Sequence, residues 1–163
     1  MGFFNRLFKA GDDPAFTLSA PVDGKAVALA EVPDPTFGEE ILGKGVAIIP
    51  SGDTVCSPCD GTVDLMFDTG HAVNLVSDSG IEILIHIGLE TVSLKGRHFT
   101  TLKESGDKVK KGDALIRFER EAIAEEGFNT IVPMVICNSD SYSSVTPVLG
   151  EVKVGDKILS VAK

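Results

Sequence analysis

Tryptophan is absent from this chain and tyrosine occurs once, so nine phenylalanines supply nearly all of its aromatic surface. Cysteine is scarce. Cys56, Cys59 and Cys137 make an odd set, which excludes the disulfide framework of small secreted domains and suits a reducing, cytoplasmic setting. Positive charge is short as well, with 15 Lys and Arg against 24 Asp and Glu and a net charge of −9. No local basic run offsets that balance, so a nucleic-acid partner is excluded. Apolar runs fall short of the ~18–20 residues a spanning helix needs, and the N-terminus lacks the apolar region of a secretory signal. Histidine is rarest of the chemically versatile residues: only His71, His86 and His98 are present.

What is present is a series of short strand patterns. Residues 27–29, 46–49, 62–67, 72–76, 81–87, 114–118, 132–136 and 158–161 are rich in Val, Ile and Leu, with Gly, Asp, Pro and Ser between them. Only 37–42 and 119–126 read as short helices. Two segments recur: Ala20-Pro21-Val22-Asp23-Gly24 is echoed by Ser57-Pro58-Cys59-Asp60-Gly61, and Val109–Ile116 by Val152–Leu159. The echoes are not sustained at a fixed period, which excludes a solenoid. The expected fold is all-β, an antiparallel β-sandwich with internally duplicated β-units and one or two short helices. Cys56-Ser57-Pro58-Cys59 has C-x-x-C spacing but runs into a turn and a strand, whereas redox dithiols open helices. A zinc site would need a second pair of ligands. These cysteines read as small interior residues.

One hairpin concentrates the chemistry. In Ile81-Glu82-Ile83-Leu84-Ile85-His86-Ile87 alternation sends the four isoleucines to the core and Glu82, Leu84 and His86 to the other face. A tight turn centred on Asp78-Ser79 would place His71 directly opposite His86, and Val73 opposite Leu84, all on that face. Directly opposed Cβ atoms stand about 4.5–5.5 Å apart, so two imidazoles would meet. A neutral imidazole is a nucleophile, and a neighbouring one is a hydrogen-bond donor; phosphoryl transfer needs both, together with positioning.

The same residues carry a family resemblance. Thr69-x-His71-Ala72 and Ser77-Asp78-Ser79-Gly80-Ile81-Glu82-Ile83-Leu84-Ile85-His86-Ile87-Gly88-x-x-Thr91-Val92-x-Leu94-x-Gly96 resemble the glucose-family IIA component of the bacterial phosphoenolpyruvate-dependent sugar phosphotransferase system. So do Glu31-Val32-Pro33-Asp34, Leu42–Ile48, Thr130–Val135 and Gly150–Asp156. The resemblance implies a β-sandwich domain over residues 15–163. It implies a phosphotransferase component in which His86 takes a phosphoryl group from the carrier HPr and passes it to a cysteine of a IIB domain of a sugar permease. No cofactor is implied. His71 would hold the phosphoryl oxygens, Thr69 would fix the tautomer of His71, and the Gly88 carbonyl would orient His86. Family positions put Phe37, Ile41, Phe67, Val73, Leu84 and Val92 around the pair as a docking surface, with Asp34 and Glu90 as its acidic rim. Phe37 and Ile41, four apart, would share one side of a short helix.

Two departures stand out: Glu90 replaces a common aspartate, and Arg97-His98 stands where a Glu-Gly type pair is common. Residues 1–14 read as a flexible amphipathic tail and linker, whose Phe3, Phe4, Leu7 and Phe8, beside Arg6 and Lys9, suit contact with the inner face of a membrane. Other readings are weaker. Three histidines could ligate a hydrolytic zinc, but no carboxylate base accompanies them; zinc held adventitiously by His71 and His86 is the simpler metal reading. A lipoyl or biotinyl carrier would display a lysine at its hairpin tip, where Asp78-Ser79 stands here. A regulatory role, binding other transporters or enzymes through the histidine face, is compatible with the carrier role.

Overall fold

Alternating β-branched residues set the strands, and Gly, Asp and Pro turns end them. A computed structural model describes residues 15–163; the tail and linker read at 1–14 lie outside the described residues. The strands are β1 (Ala15–Ser19), β2 (Gly24–Ala28), β3 (Lys44–Pro50), β4 (Thr54–Cys56), β5 (Gly61–Met66), β6 (Ala72–Ser77) and β7 (Glu82–His86). Then follow β8 (Phe99–Thr101), β9 (Lys108–Val109), β10 (Ala114–Phe118), β11 (Val132–Ile136), β12 (Ser144–Pro147), β13 (Gly150–Val152) and β14 (Lys157–Ala162). The helices described are α1 (Pro35–Gly38) and α2 (Arg120–Glu125). An eight-stranded sheet, ordered β13-β2-β3-β11-β7-β6-β5-β9, packs against two three-stranded sheets, β1-β14-β12 and β4-β10-β8. Every pairing is antiparallel, as the sandwich reading requires.

The main core lies between these layers. Leu18, Leu115, Ile116, Leu159 and Val161 meet Ile48, Ile83, Ile85 and Met134, all 2% exposed or less. Each such side chain contributes about 1.5–3 kcal/mol of burial. A second cluster covers the opposite face, where Leu29, Val32 and Phe37 pack on Ala47, Ile131 and Val135. Cys56 and Cys59 fill interior space at 8% exposure each, and burial pushes the Cys59 thiol up to about 11. The thiolate is the reactive form, so this thiol is inert.

The sequence echoes are a physical duplication. Ser19 N–H donates to the Pro58 carbonyl (2.9 Å), and its counterpart Cys56 N–H donates to the Pro21 carbonyl (2.7 Å). Val154 N–H reaches the Asp23 carboxylate (2.8 Å) and Lys111 N–H the Asp60 carboxylate (2.9 Å). The large sheet is palindromic about β11–β7, so one unit, β4–β10, is inserted between β3 and β11 of the other. Only the inserted unit carries histidines at the relevant strand ends. The counterparts of His71 and His86 are Lys44 and Val135; beside Lys44, a Cβ on Gly43, at φ +141°, would stand 2.1 Å from the Ile136 carbonyl oxygen. Gly43→Ala is therefore expected to lower stability by about 2 kcal/mol, or about 6 °C in Tm. An unchanged melting curve would mean that β3 and β11 separate there at no cost.

Three expectations need correction. The Asp78-Ser79 two-residue turn is a three-residue loop, Asp78–Gly80, closed by Ser77 N–H to the Ile81 carbonyl (2.9 Å) with Gly80 at φ +95°. Glycine takes this left-handed position without penalty, which favours the longer loop. The register therefore slips by one: Ala72, not His71, lies opposite His86, and Val73 pairs with Ile85. A one-residue slip reverses every side chain of a strand, so Val73 faces the core at 0% exposure and is not part of a docking surface. Helix α1 starts earlier than read, because Asp34 caps it by accepting from Thr36 N–H (3.0 Å) and Pro35 occupies its first turn. It ends at Gly38, so Phe37 and Ile41 do not share a helical side: Phe37 is 5% exposed and Ile41 67%.

Candidate functional site

His86 is the last residue of β7, where the outward face of the strand leaves it half-buried. Immediately beyond it the backbone turns at Gly88 (φ +77°), and the Gly88 carbonyl accepts the Nδ1–H of His86 at 2.7 Å. That bond assigns the proton to Nδ1 and leaves the Nε2 lone pair free. The turn itself is anchored from β11's approach: Gly88 N–H donates to Ile131 O and Leu89 N–H to Asn129 O, both at 2.9 Å. Thr91, 0% exposed, donates its hydroxyl to the Ile87 carbonyl at 2.5 Å. Asn129 and Thr91 escape a reading of strand patterns; the Asn129-Thr130-Ile131 turn, in which the Asn129 carboxamide accepts from Ile131 N–H (2.9 Å), was the available signal.

His71 reaches the same place by a different route. It lies just outside β6, beyond strand alternation, with its carbonyl accepting from Ile87 N–H at 2.7 Å. Its Nδ1 is hydrogen-bonded to the Thr69 hydroxyl. With the hydroxyl donating, the His71 proton sits on Nε2, and the ring offers a donor where His86 offers a lone pair. The two rings meet edge to face, with centroids 5.0 Å apart and planes at 79°. Phe37 backs His86 (centroids 5.2 Å) and Phe67 stands edge-on to His71 (5.4 Å). The surroundings keep both imidazoles neutral. Burial holds His71 down at about 4, reinforced by His86; burial also lowers His86, against the raising influence of the Gly88 bond and the Asp34 carboxylate.

The remaining expected residues divide. Leu84 lies half-buried two residues before His86 and packs on the Phe37 cluster. Ile41 (67% exposed) and Val92 (53%) are outward-facing on the segments that leave α1 and Gly88. Glu90 is exposed and in the left-handed region, φ +60°. Phe37 is a buried support for the His86 ring rather than an exposed contact. His98 stands apart from the pair: its Nδ1 is 2.7 Å from Glu119 and its Nε2 2.5 Å from Glu126, so neither nitrogen is free for a third zinc ligand. Among the described residues no three His, Cys, Asp or Glu form a metal-holding group.

An NMR titration of the imidazoles is expected to separate the three: His98 above the ordinary value of 6.5, His86 below it, and His71 last at about 4. Unfolded His71 takes up its proton first as pH falls. Its burial thus costs no stability at neutral pH, and a growing amount between about 6.5 and about 4. A His71 midpoint at or above 6.5 would mean that the pair is not held neutral.

Known proteins resemble this chain in sequence and in fold. The family model described as "phosphoenolpyruvate-dependent sugar phosphotransferase system, EIIA 1" matches residues 16–142. A glucose-specific EIIA component of Haemophilus influenzae is 34% identical, covering 100% of this chain and 99% of its own. A beta-glucoside-specific EIIBCA component of Bacillus subtilis is 42% identical over 89% of this chain, which corresponds to 24% of that longer protein. The solved glucose permease IIA of Mycoplasma capricolum superposes with a TM-score of 0.83 at 32% identity, over 98% of this chain and 99% of its own. With a family model over most of its length and relatives that span it end to end, the chain belongs to the EIIA 1 family of the phosphoenolpyruvate-dependent sugar phosphotransferase system.

Proposed function

We propose that His86 is the residue that carries the phosphoryl group in this phosphotransferase component. The observation behind this is the complementary tautomers of the pair. His86 Nε2 has a lone pair because Nδ1–H is held by Gly88, and His71 has an Nε2–H because its Nδ1 is held by Thr69. In acceptance, Nε2 of His86 attacks phosphorus. A P–N bond forms as the P–N bond to the donor's imidazole breaks and its electron pair returns to that ring. The proton stays on Nδ1 of His86, donated to the Gly88 carbonyl, throughout, so no proton has to move on this ring. The Nε2–H of His71 is placed to meet the phosphoryl oxygens as charge shifts between nitrogens. In the second half-reaction a thiolate of the acceptor attacks the same phosphorus and His86 leaves with its lone pair restored.

HPr is the donor we assign and a cysteine of a IIB domain the acceptor; the EIIBCA relative, which joins such domains in one chain, supports this pairing. Docking is assigned to the exposed Ile41, Leu42 and Val92, with the half-buried Phe67 and Leu84 nearer the rings. Asp34 and Glu90 are acidic groups beside them, suited to a basic partner surface. The same rim would serve any transporter or enzyme regulated by the unphosphorylated form. No cofactor enters the mechanism, and zinc on His71 and His86 would need further ligands from a partner. Among the described residues no helix is long and apolar enough to cross a membrane. We place the chain on the cytoplasmic side, with Phe3, Phe4, Leu7 and Phe8 as its membrane contact.

The test is phosphate transfer from labelled phosphoenolpyruvate through enzyme I and HPr. One acid-labile, alkali-stable phosphate per chain is expected, on Nε2 of His86 in the 31P and 15N spectra. An unlabelled chain in the presence of active carriers would overturn the reading.

A further inference from the structure

The segment from Gly88 to Phe99 connects the two backbones that hold the histidines. At its start the Gly88 carbonyl takes the Nδ1–H of His86 at 2.7 Å. At its end it lies against the Thr69–Gly70 turn that holds His71: a Cβ on Gly70 would stand 2.9 Å from Phe99 Cβ, and one on Gly96 would stand 3.8 Å from the Thr69 carbonyl oxygen. The path between is strained. Glu90 (φ +60°), Lys95 (φ +56°) and His98 (φ +79°) all take left-handed conformations that non-glycine residues rarely adopt. Such a loop needs an external restraint.

That restraint is a clasp on α2 and its ends. Glu126 receives Arg97 through two contacts, Nε at 3.0 Å and Nη2 at 2.5 Å, and also receives His98 Nε2 at 2.5 Å. His98 Nδ1 meets Glu119 at 2.7 Å, and the Glu119 N–H donates to the His98 carbonyl at 2.9 Å. The two carboxylates raise His98 above its ordinary value, and the paired cations hold Glu126 down at about 2. Exposed ion pairs add little to global stability. What four such contacts on two consecutive residues do supply is a fixed direction for the chain just before Phe99.

We propose that Arg97, His98, Glu119 and Glu126 are positioning residues for phosphoryl transfer: they seat Gly96 and Phe99 against the Thr69–Gly70 turn and thereby aim the Nε2–H of His71 at the phosphoryl group. The proposal rests on the roles given to His86 and His71 above.

The experiment uses the full chain with Glu126→Ala and the milder Glu126→Gln. Two readouts are taken: the 15N tautomer pattern of the three histidines without phosphate, and the initial rate of acceptance from phosphorylated HPr. The His98 resonances report directly whether the clasp has opened. With Glu126→Ala, His71 is expected to lose its single Nε2–H tautomer and acceptance to slow about tenfold, while Tm changes little, because catalysis is more sensitive to small misplacements than stability is. Glu126→Gln is expected to lie between. If His98 reports an open clasp while the His71 tautomer and the rate stay as in the parent, the proposal is wrong. If the parent chain itself accepts no phosphate, the assignment of His86 fails instead, and the His71 spectrum still decides whether the clasp positions the ring.

Discussion

His86→Gln is expected to accept no phosphate at all, where the parent chain accepts one per molecule. The effect is total because no second nucleophile is in place. His71 presents Nε2–H toward the site, with its lone pair on the Nδ1 that Thr69 holds. His98 has both nitrogens engaged by carboxylates. Cys56 and Cys59 are buried thiols raised above the usual range. The substitution should leave the fold intact, since His86 is half-buried and contributes its ring rather than its backbone to the Phe37 contact. The check is a labelled-phosphate assay with circular dichroism on the same sample. Residual stoichiometric labelling in a folded His86→Gln chain would move the acceptor elsewhere.

His71→Gln should behave differently: it is expected to become phosphorylated but to pass the group onward about a hundredfold more slowly or worse, the loss typical of removing an aimed donor from a charge-developing site. Acceptance is slowed about as in Glu126→Ala but still reaches one phosphate per chain, because the His86 lone pair and its Gly88 anchor are untouched. Onward transfer suffers because a glutamine side chain has no Nδ1 for the Thr69 hydroxyl to hold, so its amide is not directed at the phosphoryl oxygens while the P–N bond lengthens. Rapid-quench measurement of discharge to the IIB domain separates the two half-reactions. Discharge at the parental rate would show that His71 is a packing residue. A loss of acceptance equal to that in His86→Gln would show instead that the two imidazoles act as one unit from the outset.

Much of this site could be read without coordinates because it depends on local pattern. The isoleucines at 81, 83, 85 and 87 are all 1% exposed or less, and that alternation puts His86 on the outward face whatever the rest of the chain does. The sandwich and its duplication were legible for the same reason: strand periodicity and the repeated Pro-x-Asp-Gly turns are properties of short segments. The strands that escaped, β1, β4, β8, β9, β12 and β13, have two to five residues and lie toward sheet edges, too short for a period to declare itself.

The meeting of His71 with His86 was expected for a reason that proves incomplete. Cross-strand pairing does not bring the rings together, since Ala72 occupies the place opposite His86. His71 reaches its neighbour by leaving the strand, held by Thr69 on one side and by the Ile87 N–H on the other. The same slip took Val73 into the core, and an early cap moved α1 so that Phe37 supports the His86 ring from beneath. Residue types and spacing thus sufficed for the fold class, the burial of Cys56 and Cys59 and the outward face of His86, because each depends on neighbours within a few positions. Register, the tautomers set by Gly88 and Thr69, and the Arg97-His98 clasp on Glu119 and Glu126 were decided by tertiary structure. Each depends on where a loop closes or which distant carboxylate a side chain meets, and a single glycine in a left-handed turn is enough to change the answer.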